Sequence, residues 1–345
     1  MKYLLIAFSL ISFSKPVFSW GEVGHRIVGE IATQYMNPTA LANMKKLIGR
    51  ETLADASVWA DDIRSDTVKS AELARRYPAQ VKTKWPTKED KKDARIIAAW
   101  HYVTIPDGQT YESSKKNPQG DIIVALKNME KTLKNNKSSI KEKREALRLF
   151  AHYVGDIHQP LHVGTGLDIG GNGCWVNWFP EKYPKSIEPR PEIQNKDYRK
   201  LHSIWDSDII EGSHLSYTEY SKKLIHANPD ILSDLNDFKK EKLEEQSMES
   251  LQKIFSQKIK QWQKSSFVDW ANESVSFRKD VYIGKEIEEG SSKRKYCSKS
   301  YKVLIKHEDI PNFGYSQIHK AKRIINYRLL QAGIRLAGKL NTIFN

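Results

Sequence analysis

Cysteine is scarce: the 345 residues contain two, Cys174 and Cys297. Two thiols are too few for a zinc-thiolate site, and in an exported chain they allow one disulfide, read here as a staple on a C-terminal loop. Beyond residue 19 no apolar run approaches the roughly 20 residues that a membrane helix needs. No period-2 alternation persists, which argues against a sheet-based fold. Nothing repeats at a fixed period, and no Pro/Gly/Ser-rich linker marks a domain boundary, so neither a solenoid nor a tandem array is expected.

What is present begins with a leader. Lys2 opens a short positive region, Leu4 to Phe13 form an apolar stretch too short to span a bilayer, and Val17 and Ser19 satisfy the small-residue rule before a cleavage point. Removal of residues 1–19 would make Trp20 the mature N-terminus, with a free α-amine that no internal residue can offer. Residues 20–345 are then expected to form a single domain, secreted or held in a periplasm. Lysine and arginine total 56 against 42 acidic residues, a net charge of +14, with Lys2 and Lys15 in the leader. This excess favours anionic partners such as nucleic acid or an acidic surface, and equally suits an exported protein that is simply soluble.

Helix signals dominate the rest. "NPTALANMKKLIG" places Asn37 at a cap, Pro38 at the first helical position and Gly49 past the end. "EKREALRLFAHYVGDIHQP" keeps apolar residues at helical spacing until Pro160 stops it. "LEEQSMESLQKIFSQKIKQW" and "RIINYRLLQAGIRLAGKLN" repeat the period, and polar, proline-bearing loops fall near 79–120, 164–195 and 281–312. The expected fold is all-α, with long functional loops.

Chemistry is concentrated in the histidines, of which there are ten. "HYVGD" and "HSIWD" each place a histidine four residues before an aspartate: His152 with Asp156, and His202 with Asp206. On a helix this spacing brings both side chains to one face, their Cβ atoms roughly 5–6 Å apart, so that one ion can be gripped by both. A single such pair reads as readily as an exposed ion pair; two pairs, with His162 just past the first, read as metal sites. In "ASVWADDIRS" Asp61 follows Trp59 on an expected helix, and His101 lies in the apolar "AAWHYVTIP". Imidazole and carboxylate without thiolate suit zinc or another first-row divalent ion. The inventory of donors exceeds the demand of one site and points to two or three ions.

These residues carry a resemblance. "WGEVGH", "WADDIR", "WHY", "HYVGDIHQPLHVG", "DIGGN", "LHSIWD", "WANES" and "AGIRLAGKLN", in that order from Trp20 nearly to Asn345, resemble the type I zinc nucleases, the nuclease S-one/P-one family that includes mung-bean nuclease. The resemblance implies an all-α fold of the kind shared with zinc phospholipase C, three zinc ions in a cleft, and hydrolysis of single-stranded RNA and DNA to 5′-phosphate products, with activity on 3′-nucleotides. Carried over by position, Asp61, His101, His152 and Asp156 would hold one zinc. The amine and carbonyl of Trp20 with His25 would hold a second, bridged to the first by Asp156, and His162, His202 and Asp206 a third. A hydroxide shared between two zincs would serve as the nucleophile, because metal binding brings the pKa of water to about 7.

Arg64, three residues after Asp61, would neutralise charge on phosphoryl oxygens or act as a surface salt-bridge partner. Tyr102 would stack a base or lie in the core. Asn172, in "GGN", would contact substrate or serve a glycine-rich turn. Lys200 stands where the family commonly has asparagine, and would attract phosphate or be solvated. Thr104 replaces an aspartate found in some members, which leaves base preference open. His158 is assigned to supporting or packing duty, and His214, His226, His307 and His319 to surface or core. Asn272 heads an "NES" glycosylation pattern. The chain is expected to be a monomer. The rival readings are a zinc phospholipase C and a non-catalytic cationic surface protein stabilised by zinc.

Overall fold

The computed structural model describes residues 20–77, 96–178, 198–227, 248–284, 294–299 and 305–345, so the expected leader lies outside the described residues. The chain starts helically with α1 (Glu22–Tyr35) and α2 (Pro38–Ile48). As the sequence predicts, the Asn37 side chain accepts from Ala40 N at 2.8 Å, and the following Gly49 takes φ 69°, a conformation glycine reaches without a Cβ penalty. Short α3 (Leu53–Ala56) and α4 (Trp59–Asp62) lead through a 3₁₀ turn into α5 (Thr67–Arg76), capped by Asp66. Next come α6 (Ile122–Lys134) and α7 (Ile140–His158). Helix α7 opens with a reciprocal Ser139/Glu142 capping box and stops two residues before Pro160, whose ring cannot continue it.

A continuous helical segment follows, made of α8 (Leu201–Ser203), a π-helical turn (Ile204–Asp208) and α9 (Ile209–Glu211). Helices α10 (Tyr217–His226), α11 (Met248–Lys264), α12 (Phe267–Val281) and α13 (Tyr315–Phe344) complete the helices among the described residues. Helix α13 packs against α1, α2, α7 and α11, with Leu329, Leu330, Ile334, Leu336 and Leu340 removed from water. Each such side chain contributes roughly 1.5–3 kcal/mol.

Charge is buried along this helix too. Arg328 donates to Glu273 Oε2 at 2.7 Å and to His158 O at 2.9 Å, and Arg335 reaches Glu273 Oε2 at 2.6 Å and His158 Nε2 at 2.9 Å. His158, which the sequence assigns to support or packing, is thereby locked behind α7 with its Nδ1 on Val154 O.

The expected loops hold short strands that no alternation could reveal. Strand β1 (Val103–Thr104) pairs in parallel with β2 (Val163–Gly164); β3 (Trp175–Trp178) lies between antiparallel β4 (Tyr198–Lys200) and parallel β5 (Asn312–Phe313). Buried Arg278 holds the first pair by donating to Ile105 O at 2.6 Å and Val163 O at 3.0 Å. Cys174 and Cys297 form the disulfide, which ties the residue before β3 to the 294–299 segment. Cys174 O in turn accepts from Leu201 N at 2.9 Å, so the staple also fixes the start of the helical segment bearing His202.

Candidate metal centre

Helix α7 brings the first group together. Its i, i+4 spacing sets His152 Nε2 3.3 Å from Asp156 Oδ2, and the 3₁₀ turn ending at His101 places that residue's Nδ1 3.0 Å from the same oxygen and 3.1 Å from His152 Nε2. Asp61 Oδ1, from α4, stands 3.8 Å from His152 Nε2 and 3.9 Å from His101 Nδ1. Donors around a tetrahedral zinc at 2.0–2.1 Å are separated by about 3.3 Å, and these five separations bracket that value. The other Asp156 oxygen, Oδ1, faces His25 Nε2 of α1 at 3.3 Å, so one carboxylate spans two neighbouring groups.

A further group gathers where the Pro160–His162 turn meets the helical segment of α8 and the π-helical turn. His202 Nε2 is 2.8 Å from Asp206 Oδ2, and the His162 and His202 ring centroids are 5.0 Å apart. Ligand atoms of His162, His202 and Asp206 lie within 4.8 Å of one another, as do those of His101, His152 and Asp156 and those of His25, Asp61 and His152. Asp168 with Cys174 and Cys297 is equally close, but the disulfide removes both thiolates.

Backbone carbonyls decide which way the rings face. His152 Nδ1 donates to Ser57 O at 2.8 Å, His162 Nδ1 to His101 O at 2.7 Å and His202 Nδ1 to Gly170 O at 2.6 Å. With the proton on Nδ1, the neutral His152 ring turns its Nε2 lone pair inward, towards the lone pairs of Asp156 and His101, while His202 presents Nε2 to the Asp206 carboxylate. Such juxtapositions repel unless a proton or cation lies between them. Buried His101 Nε2 and His162 Nε2 have no hydrogen-bond partner among the described residues. The donor set therefore fits divalent ions.

Electrostatics point the same way. Burial, then the neighbouring histidines, holds His25 and His101 well below the ordinary imidazole range. Burial likewise lowers His152 and His162. It would also lower His202, but the adjoining Asp206 carboxylate outweighs burial and the net shift is upward. Burial drives Asp156 well above the carboxylate range and Asp61 up to about 6. Around Asp61 and Asp156, carboxylates so disfavoured as anions stand beside His25, His101 and His152, imidazoles disfavoured as cations, and this part of the pocket lacks positive charge.

Trp20 is fully buried, its indole donating to Gly155 O at 2.8 Å, while Gly21 N donates to Asp206 O at 2.8 Å. The start of the expected mature chain is thus pinned between α7 and the Asp206 turn. A Cβ on Gly155 would stand 2.8 Å from His25 Nδ1, which explains a glycine inside a helix at this point.

The chain matches the S1/P1 nuclease family model over residues 20–345. It belongs to this family. Endonuclease 2 of Arabidopsis thaliana is 24% identical over 356 residues, spanning 99% of this chain and 96% of its own length. Nuclease S1 of Aspergillus oryzae is 23% identical over 226 residues, 63% of each chain. Nuclease P1 of Penicillium citrinum is 26% identical over 220 residues, 60% of this chain and 66% of its own. As an S1/P1 nuclease the chain is a hydrolase acting on nucleic acid, and the mostly helical architecture agrees with this family.

Around the centre of this S1/P1 nuclease, Arg64 Nη1 lies 3.8 Å from Asp61 Oδ1, so its salt bridge is to a residue of the centre itself. Tyr102 is 45% exposed, which removes it from the core. Asn172 is half-buried, donating to Ile169 O at 3.2 Å, with its buried Oδ1 unpartnered among the described residues. Lys200 Nζ lies 5.9 Å from the Trp175 ring centroid, and burial lowers its pKa, so it is not simply solvated. His214, His226 and His319 are exposed, whereas the His307 side chain lies outside the described residues. Sequence reasoning missed Gln159, fully buried, whose Nε2 donates to Asp206 Oδ1 at 2.6 Å. Its only signal was a polar residue wedged between His158 and Pro160.

Proposed function

We propose that the chain is exported, loses residues 1–19 and, as one monomeric domain of residues 20–345, is a zinc-dependent nuclease of single-stranded RNA and DNA that leaves 5′-phosphates and also acts on 3′-nucleotides. The observation that carries this reading is the convergence of His101 Nδ1, His152 Nε2, Asp156 Oδ2 and Asp61 Oδ1, with Asp156 reaching on to His25. Asp61, His101, His152 and Asp156 would hold one zinc; His25 and the Trp20 amine and carbonyl a second, sharing Asp156; and His162, His202 and Asp206 a third. Bound zinc supplies Lewis-acid charge and lowers the pKa of water to about 7, so that it can attack phosphorus near neutral pH.

The chain's own groups do the rest. Arg64, already beside Asp61, would balance charge on the phosphoryl oxygens. The exposed Tyr102 ring offers a base a stacking face that tolerates any sequence, and Asn172 offers its unpartnered Oδ1. Lys200 and the net charge of +12 that remains once Lys2 and Lys15 leave with residues 1–19 favour a polyanion. Among the described residues no helix is long and apolar enough to cross a membrane, which is compatible with a secreted or periplasmic product.

The test is mass analysis of products when leader-free protein, supplied with zinc, meets a short single-stranded oligonucleotide. 5′-Mononucleotides that vanish on chelation are expected. An intact strand beside zinc-loaded protein would reject the reading; cleavage confined to phospholipid would indicate a zinc phospholipase C, and inactivity on both a structural role for the metal.

A further inference from the structure

One side chain stands between the two ends of the centre. Gln159 caps the C-terminus of α7 and is fully buried, and its amide is used at both ends: Oε1 accepts from Leu161 N at 2.5 Å, and Nε2 donates to Asp206 Oδ1 at 2.6 Å. Its backbone is committed too, Gln159 N donating to Asp156 O at 3.0 Å and Gln159 O accepting from His162 N at 2.9 Å.

We infer that Gln159 is a positioning residue for the His162/His202/Asp206 group, setting two of its three members at once. Through Leu161 N the side chain shapes the Pro160–His162 turn and so the approach of His162. Through Asp206 Oδ1 it fixes the carboxylate plane, leaving Oδ2 turned towards His202 Nε2 at 2.8 Å. A glutamine can do this where a carboxylate cannot, because the task needs an acceptor for a backbone N–H and a donor for an anion in one side chain. Outer-shell partners of this kind typically govern metal affinity by 10- to 100-fold. The inference rests on the zinc reading above, and it adds a prediction of its own: this group alone depends on Gln159, since the His101/His152/Asp156 group is oriented instead by Ser57 O and by its own contacts.

The experiment is zinc counting on full-length mature protein, by elemental analysis across a series of chelator-buffered free-zinc concentrations, for wild type, Gln159→Met and Gln159→Leu, with far-UV dichroism and thermal melting alongside. Both variants keep volume and lose the amide, so one serves if the other does not fold. The expected result is loss of one zinc equivalent at a free-zinc level that saturates wild type, its half-saturation raised about 10- to 100-fold while the remaining equivalents bind as before. Wild-type binding curves in a folded variant would overturn the inference. So would parallel loss of every equivalent with a collapsed melting curve, which marks a purely structural role. A wild type that binds no zinc would overturn it together with the reading on which it rests, and is told apart because it needs no variant.

Discussion

Replacing Gly155 with alanine tests the centre with a single methyl group. Gly155 lies inside α7 beside Asp156, where glycine gives up roughly 0.5–1 kcal/mol of helix stability relative to alanine. The added Cβ would stand 2.8 Å from His25 Nδ1 and 3.0 Å from its Cε1, where ordinary contacts begin at 3.4 Å. The ring has no room to retreat, because it is fully buried and stacks on His152 with centroids 3.8 Å apart and planes 14° apart. Overpacking of this kind costs about 1–3 kcal/mol, partly offset by the helix gain. The melting temperature should therefore fall by only a few degrees. Activity should suffer far more. A shift of about half an ångström in His25, passed on to His152, is expected to lower the rate on a single-stranded oligonucleotide about 10- to 100-fold at saturating zinc. Initial rates and calorimetry on the same preparation separate the two effects. A variant with wild-type rate and zinc content would show that neither histidine needs its present position, and the assignment of His25 to the centre would be withdrawn.

Extending the mature chain by one methionine before Trp20 should abolish activity and leave the helical dichroism intact, since a peptide nitrogen cannot replace a free amine; full activity in the purified extended protein would refute a backbone role for Trp20. Burial opposes ionisation of Glu273, yet the Arg328 and Arg335 guanidinium groups prevail and hold it down to about 2, against an ordinary 4.5. A depressed carboxyl stabilises the fold above 4.5 and loses that contribution as pH falls towards 2, a difference of about 2–3 kcal/mol after allowing for partial exposure. Thermal melting from pH 5 to 2 should show this loss in wild type and much less of it in Glu273→Gln, and equal slopes would refute the assignment. Breaking the disulfide with Cys174→Ser, which opens a loop of 123 residues, should cost about 2–4 kcal/mol by denaturant titration, and an unchanged midpoint would exclude a stabilising role.

Much of the centre is legible because its key pairs are local. The two i, i+4 pairs need only a helix to bring them together, and Pro160 alone explains why His162 leaves the axis of α7. The disulfide is equally legible, since two cysteines allow one pairing. What escaped sequence reasoning is long-range. Nothing near His152 in the chain announces that Ser57 O, 95 residues away, will hold its Nδ1. Nothing around Gln159 announces Asp206, and Gly155 reads as a weak helix residue until His25 is seen against it. The glycosylation pattern at Asn272 has a different meaning once folded. It lies on α12, where Asn272 Oδ1 accepts from Tyr111 N at 2.8 Å, Nδ2 donates to Glu112 at 3.1 Å and Ser274 Oγ donates to Ile157 O at 2.6 Å. Those bonds leave the amide engaged on the folded surface.

The placement of charge explains why so much of the fold is spent behind α7. A pocket in which lone pairs face one another is unfavourable until cations fill it, so the scaffold must hold the donors against their own repulsion. Helix α7 carries His152 and Asp156 and is capped by Gln159. Its far side is tied in turn: Arg328 grips His158 O and Ser274 Oγ, Ser274 grips Ile157 O, and Arg335 grips His158 Nε2, all from α12 and α13. Buried arginines are costly, and here Glu273 offsets part of that cost. The network thus backs the last turn of α7, which carries Asp156 and leads into Gln159, with hydrogen bonds from two neighbouring helices.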